Sequence, residues 1–396
     1  MQFTDFNKLD LSRLPSPCFV VDEVALERNY KILHHVQHES GARVLHALKA
    51  FSLWNKADLT QQYLSGTCAS GLHEARLGQK HYGGEVHVYS AAYSEADLAE
   101  LLTFAHHIVF NSCSQLLRFE AQCRKALKTR NDLQFGLRIN PEYTESDIPI
   151  YDPCASGSRL GITRSEFNIF YVKPEFQTAF ELISGLHFHT LCEQGFGPLQ
   201  RTLIEVEKHF GDLIPHMKWV NFGGGHHITA PNYQVDELIR CIQKFTSRHQ
   251  VQVYLEPGEA IAIGTGILSS EVLDITFNQL PQLILDTSAT CHMPDTLEMP
   301  YRADISNAGL PNEYDHTYRL GGLTCLAGDI MGDYSFKEPK VVGDRLIFED
   351  MSHYTMVKTS TFNGTRLPSI AIWNSETDDL TIVKEFEYAD FEQRLS

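Results

Sequence analysis

From residue 22 to about residue 264, short apolar runs alternate with longer stretches whose apolar residues recur at helical spacing, and nothing else limits the fold of this chain as strongly. Residues 44–48, 86–89, 107–110, 133–139, 181–187, 218–222 and 251–255 read as strands. Residues 74–79, 95–104, 114–127, 199–210 and 236–248 read as helices between them. Repeated strand-helix units with right-handed crossovers close most economically into a (β/α)8 barrel, whose chemistry gathers at the C-terminal ends of its strands. Beyond residue 264 the helical period fades, and β-branched and aromatic runs take over at 267–275, 280–285, 344–348, 369–373 and 380–384. The predicted architecture is therefore α/β: a barrel over residues 22–265 and a mostly β domain over 266–396, with residues 1–21 adding a strand to the latter.

Length agrees with this division, since 396 residues exceed the roughly 250 that one barrel absorbs. The 43% hydrophobic and 21% charged content is that of a globular protein and excludes disordered and fibrous classes. No run approaches the ~20 apolar residues of a membrane span, and residues 1–17 lack a basic region followed by an apolar stretch, so a cytoplasmic protein without membrane contact is expected. The nine cysteines form no CxxC pair, which points to free thiols. Among the 19 histidines, His106-His107 and His226-His227 are adjacent pairs, and neighbours in a strand face opposite ways, so no metal centre is expected. A net charge of −17 argues against nucleic acid and favours the approach of a cationic substrate.

Candidate chemistry falls at the strand ends. Lys49 closes the run Val44-Leu45-His46-Ala47-Leu48, where a lysine either snorkels to water or stands at a barrel mouth as an amine nucleophile. Gly223-Gly224-Gly225 follows another strand and, lacking side chains, can bring backbone N–H groups close to phosphate oxygens. Glu256, in Glu256-Pro257-Gly258, ends a third and can face a ring nitrogen, raising its pKa by the opposite-charge effect. His189 follows a fourth and can lie over an aromatic cofactor. With Cys325, Asp329 and Tyr354 far downstream, these residues point to pyridoxal phosphate.

The phrases Leu45-His46-Ala47-Leu48-Lys49-Ala50, Cys68-Ala69-Ser70-Gly71, Phe188-His189, Gly223-Gly224-Gly225, Glu256-Pro257-Gly258, Leu323-Thr324-Cys325 and Tyr354 with Ser360-Thr361-Phe362-Asn363-Gly364 occur in one order along nearly the whole chain. That order resembles the alanine-racemase-fold group of pyridoxal-phosphate decarboxylases, which includes the ornithine and diaminopimelate enzymes. Within it, the stretches 256–260 and 353–364 are most similar to the branch acting on carboxynorspermidine and carboxyspermidine. The resemblance implies Lys49 as the Schiff-base lysine, Glu256 as partner of the pyridine nitrogen, and His189 stacked on the ring. It implies Gly224, Gly225 and Tyr354 at the phosphate and Arg138 beneath the cofactor. It also implies a homodimer with shared active sites, in which Cys325 and Asp329 reach the partner's cofactor and Cys325 supplies a proton to the substrate carbon.

Two departures from better-known members bear on the substrate. Where many continue Glu-Pro-Gly with arginine, this chain has Glu259, which suits a protonated amine better than a phosphate. Leu326 follows Cys325 where ornithine-type members carry an aspartate for the distal amine, so the cation's carboxylate must lie elsewhere. Residues 286–295 occupy the place where relatives read substrate length, and Glu259 and Asp295, with His292 beside them, are the expected readers of a cationic carboxy-polyamine. The competing readings are a diaminopimelate- or ornithine-type decarboxylase, a catalytically silent regulatory homologue, and a barrel aldolase with a lysine nucleophile. The aldolase leaves the late β domain, with Cys325 and Tyr354, without a role.

Overall fold

The structure, a computed structural model, describes residues 4–146, 150 and 152–396. They form two compact units, Asn29–Ile261 and residues 4–28 with Ala262–Ser396. The first strand of the chain, β1 (Cys18–Asp22), belongs to the second unit.

The unit Asn29–Ile261 is a closed parallel barrel of β2 (Arg43–Ala47), β3 (Gly66–Ala69), β4 (Glu85–Tyr89), β5 (His107–Phe110), β6 (Gln134–Arg138), β7 (Ile183–His187), β8 (Trp219–Asn221) and β9 (Gln252–Leu255). Each strand pairs with the next in sequence, and β2 closes on β9 with Arg43 opposite Tyr254 and Val44 opposite Leu255. Helices between strands follow the sequence period, from Glu95–Phe104 and Cys113–Ala126 to Val235–His249. The last of these shows why they dock: Leu238, Ile239, Ile242 and Phe245 fall on one buried stripe at i, i+1, i+4 and i+7 spacing, with charged residues elsewhere. Of the barrel strands, β3 alone is not predicted from the sequence, because Gly66-Thr67-Cys68-Ala69 is short and weakly apolar.

Aromatic rings fill the barrel interior. His87 stacks on His107 with centroids 3.8 Å apart, His107 stacks on Trp219 at 4.6 Å, and Tyr254 meets His107 edge-on. The indole fits because the neighbouring strands β6 and β7 carry glycine against it: a Cβ at Gly136 or Gly185 would lie 2.4 or 2.0 Å from its ring atoms. Trp219 Nε1 donates to Gln134 Oε1 at 3.1 Å, so burial leaves no orphan donor. Glu85, His87 and His107 form a cluster whose possible metal-ligating atoms lie within 4.8 Å of one another. The two imidazoles meet face to face at 27°, and Glu85 is ion-paired to Arg43, so the cluster reads as ring packing capped by a salt bridge.

The other unit is a nine-stranded mixed sheet. β1 sits between β10 (Gly266–Asn278), antiparallel with Phe19 opposite Leu268, and a parallel strand, Ser369–Trp373, with Phe19 opposite Ile370. The long β10 pairs with β1 and Arg345–Glu349 in its first half and with Leu280–Leu285 in its second. Phe6, Val20, Ile267, Ala371 and Trp373 pack into one buried cluster behind β1. His316–Gly321 and Ile330–Phe336, a pair missed in the sequence, carry polar residues such as Arg319 and Asp333, joined across the strands by two hydrogen bonds of 2.7 and 2.9 Å. Among the described residues no helix is long and apolar enough to cross a membrane.

Candidate active site

Lys49 lies in the turn just past β2, two residues beyond the strand, with an exposed side chain. The turn is braced from behind. Burial presses the His46 ring down to a pKa of about 4, so the imidazole is neutral. Its Nε2 donates to the Phe51 carbonyl at 2.7 Å, which leaves Nδ1 to accept from the Tyr30 hydroxyl at 2.9 Å. Ala47 N–H bonds the Pro257 carbonyl at 2.9 Å and Leu48 N–H bonds the Cys68 carbonyl at 3.1 Å, so the turn is also tied to both flanking strands.

Glu256 follows β9 on the same rim. Burial alone would raise its pKa, but His187, with Nε2 3.3 Å from Oε2, and the Asn221 amide, donating to Oε1 at 2.7 Å, outweigh burial and hold the carboxyl down at about 2. Burial keeps the His187 ring below its ordinary pKa as well. The group is therefore a fixed anion under any working condition. Lys49 and Glu256 both act electrostatically on Cys68, the inward cysteine of β3, whose thiol burial holds well above its ordinary pKa.

The glycine triplet follows β8, where three loops converge. A Cβ at Gly223, Gly224 or Gly225 would lie 2.5, 2.1 or 1.9 Å from the carbonyl oxygens of Phe188, Glu256 and Leu191, so the run is demanded by close backbone packing. Gly224 donates its N–H to His189 Nδ1 at 3.0 Å, and burial followed by the charges of Lys49 and Arg138 keeps that imidazole well below its ordinary pKa. The Gly225 N–H has no partner among the described residues. Arg138, the last residue of β6, lies over the Tyr89 ring at 4.5 Å and donates to the His189 carbonyl at 3.2 Å. Glu259 meets His227 of the loop after the triplet at 3.1 Å, so its charge already faces an imidazole.

One barrel rim thus carries Lys49, Arg138, His189, Gly224, Gly225, Glu256 and Glu259. The sequence reading had missed His46, His187 and Asn221. They sit inside strands, where a polar residue looks like any satisfied core residue: His46 faces the helix layer, where it meets Tyr30 and Thr60, while His187 and Asn221 meet Glu256.

The remaining predicted residues lie in the other unit. Cys325 is exposed on the loop after His316–Gly321, and its N–H bonds Asn363 Oδ1 at 2.9 Å. Asp329 is buried and fully engaged: Ser288 Oγ donates to both its oxygens at 2.9 Å, Thr290 N–H to Oδ1 at 3.1 Å, and the Thr324 hydroxyl and N–H to Oδ2 at 2.7 and 3.0 Å. It organises the Cys325 loop. His292 is fully buried, neutral with its pKa pressed by burial to about 4, and bonded through Nδ1 to Thr287 and Ser288, which makes it part of that same packing. Asp295 Oδ2 accepts from Tyr301 and Thr355 at 2.8 and 2.9 Å, while its Oδ1 is buried with no hydrogen-bond partner among the described residues. Tyr354 holds a left-handed backbone at φ +39°, a costly conformation for an aromatic residue and one that clusters at functional sites.

An exposed lysine amine, a buried carboxylate held ionised and a tightly packed glycine turn, all on one barrel rim, are the groups that an enzyme of the pyridoxal-phosphate type requires. The chain belongs to the pyridoxal-dependent decarboxylase family, whose model, described as "Pyridoxal-dependent decarboxylase, C-terminal sheet domain", matches residues 18–352. It is similar to the carboxynorspermidine/carboxyspermidine decarboxylase of Campylobacter jejuni, at 40% identity over 96% of this chain and 99% of that one. It is also similar to the carboxyaminopropylagmatine decarboxylase of Synechocystis sp., at 43% identity over 97% and 96%. A crystal structure of the Campylobacter jejuni carboxynorspermidine decarboxylase with norspermidine superposes with a TM-score of 0.85 at 39% identity, covering 96% of this chain and all of that one. The diaminopimelate decarboxylase of Helicobacter pylori, at 16% identity and a TM-score of 0.79, shares the fold. The protein is a pyridoxal-phosphate enzyme, and the residues present would fit that cofactor: an amine that could anchor it, a carboxylate that could face its ring nitrogen and a glycine turn that could take its phosphate.

Proposed function

We propose that this chain decarboxylates carboxynorspermidine or carboxyspermidine, yielding norspermidine or spermidine and carbon dioxide. The observation that carries the reading is the shared rim of Lys49 and Glu256, a free amine and a carboxylate held at about 2, in a chain whose relatives act on carboxylated polyamines. Bound pyridoxal phosphate supplies a conjugated ring that takes up the electron pair left on the α-carbon as its carboxylate departs.

The chain's own residues do the rest. Lys49 would hold the cofactor through its side-chain amine, the group that an incoming substrate amine would replace. Glu256, ionised throughout, holds a proton at the ring nitrogen and so strengthens the electron sink. His189 and Arg138 would hold the cofactor ring, and Gly224, Gly225 and Tyr354 would hold its phosphate. Asp295 offers its unpartnered Oδ1 to a protonated amine of the polyamine, and remote binding of this kind can be used at the reacting carbon. Glu259, balanced by His227, is the weaker reader, and His292 supports the Asp295 segment from inside.

The working unit in this reading is a cytoplasmic homodimer. Cys325, exposed between Leu323 and Leu326, which are themselves 49% and 45% exposed, faces the partner and delivers the proton that replaces the carboxylate. Asp329 sets the shape of that loop.

The Synechocystis relative favours a second reading, carboxyaminopropylagmatine, whose far end is a guanidinium group. Carbon dioxide release from carboxynorspermidine, carboxyspermidine, carboxyaminopropylagmatine, diaminopimelate and ornithine, with Lys49→Ala as blank, separates these. The highest kcat/KM on the first two is expected; preference for either amino acid overturns the polyamine reading, and preference for the agmatine derivative replaces it by the second.

A further inference from the structure

Asn221, the last residue of β8, has no exposed surface and uses both ends of its side-chain amide. Nδ2 donates to Glu256 Oε1 at 2.7 Å, and Oδ1 accepts the Gly223 N–H at 2.8 Å. The orientation is unambiguous, because a carboxylate only accepts and a backbone N–H only donates. Beside it the Glu256 N–H bonds the Gly223 carbonyl at 2.7 Å, so the two loops are joined twice, once through the backbone and once through this amide.

We propose that Asn221 is a positioning residue that couples the two ends of the cofactor site, so that engagement of the ring nitrogen by Glu256 and of the phosphate by the glycine turn reinforce each other. The inference rests on the reading of Glu256 and the glycine turn as those two ends. The mechanism is geometric. A carboxylate drawn toward a ring nitrogen carries the amide with it, and the amide carries the first glycine of the turn, whose neighbours have no slack: a Cβ at Gly223 or Gly224 would already collide with the Phe188 or Glu256 carbonyl. A buried amide with a partner at each end transmits such a shift because releasing either end strands a polar group away from water.

The test is a binding cycle on the apoprotein, read by fluorescence quenching on adding cofactor. Affinities for pyridoxal phosphate and for pyridoxal, which lacks the phosphate, are measured with Glu256 and with Glu256→Gln, each in the Asn221 and Asn221→Ala backgrounds. With Asn221 present, the combined loss is expected to be about 10-fold or more smaller than the product of the two single losses; with alanine it equals that product within about 2-fold. The same non-additivity in both backgrounds, or additivity already with Asn221, overturns the coupling. If neither Glu256→Gln nor removal of the phosphate changes affinity, the site reading itself fails, which is a different result from additive losses.

Should Asn221→Ala not fold, the unaltered chain answers by hydrogen exchange of the 219–225 segment. Slower exchange at the Gly223 amide is expected with pyridoxal phosphate bound than with its 1-deaza analogue, which keeps the phosphate and lacks the ring nitrogen. Equal protection overturns the coupling.

Discussion

His46 donates its Nε2 hydrogen to the Phe51 carbonyl over 2.7 Å, and that bond closes the turn in which Lys49 stands. Its other nitrogen accepts from Tyr30, which also approaches Thr60 at 3.0 Å, so the turn that carries Lys49 is held by a buried chain of polar groups. His46→Phe strips the Phe51 carbonyl and the Tyr30 hydroxyl of a partner, each worth about 1–3 kcal/mol when buried. Stability should fall by that order in urea titration. The looser turn should lower kcat by about 10- to 100-fold with little change in KM. His46→Gln, which restores a donor and an acceptor, should recover part of the rate.

The same neutral ring makes stability depend on pH. The folded-state pKa of His46 is depressed to about 4 from the ordinary 6.5, as is that of His292, because burial disfavours the charged form. Between those values the unfolded chain binds protons that the folded chain refuses, so the stabilisation is fully present above pH 6.5 and is lost as pH falls toward 4. Each ring can contribute about 1.4 kcal/mol per pH unit in that window. Urea midpoints should drop from pH 7 to pH 5, and less steeply in His46→Phe; a flat profile would count against neutral buried rings.

Gly185→Ala should be among the most damaging small substitutions in the barrel. Its methyl group would lie 2.0 Å from the indole of Trp219, a rigid ring stacked on His107 that cannot turn aside. Overpacking of this kind costs about 1–3 kcal/mol, and thermal melting should register it. Adding Trp219→Phe to Gly185→Ala should return part of the loss, whereas Trp219→Phe alone should destabilise by leaving a void.

Legibility in the sequence followed burial. Barrel strands buried on both faces read as continuous apolar runs, and Lys49, His189, Gly223 and Glu256 stood out because each breaks such a run at its end. β3 was missed because glycine, threonine, cysteine and alanine mark no strand strongly. Asn221 and His187 were passed over because a polar residue inside a strand declares nothing until its partner, here Glu256 on another strand end, is placed beside it. Asp329 was legible only as a site residue; its work of holding Ser288, Thr290 and Thr324 depends on segments that meet only in the folded sheet. The glycines at 136 and 185 carry a further local signal, since glycine within an apolar strand marks close approach.

Asp329→Ala removes an acceptor shared by three residues and leaves the buried Ser288 hydroxyl without it, a loss worth about 1–3 kcal/mol, with the part-buried donors of Thr290 and Thr324 released as well. The thermal midpoint should fall, and alkylation of Cys325 by iodoacetamide should quicken as its loop loosens. Asp329→Asn, which keeps the shape, should retain more of both. Unchanged melting and unchanged alkylation in the alanine variant would contradict the role given to this carboxylate.

The proposed chemistry requires a covalent bond between the Lys49 amine and the cofactor aldehyde. Borohydride reduction of the holoenzyme followed by peptide mass analysis should place a single phosphopyridoxyl group on Lys49, with none retained by Lys49→Ala. A label on any other lysine, or a Lys49→Ala protein that still carries it, would contradict the account.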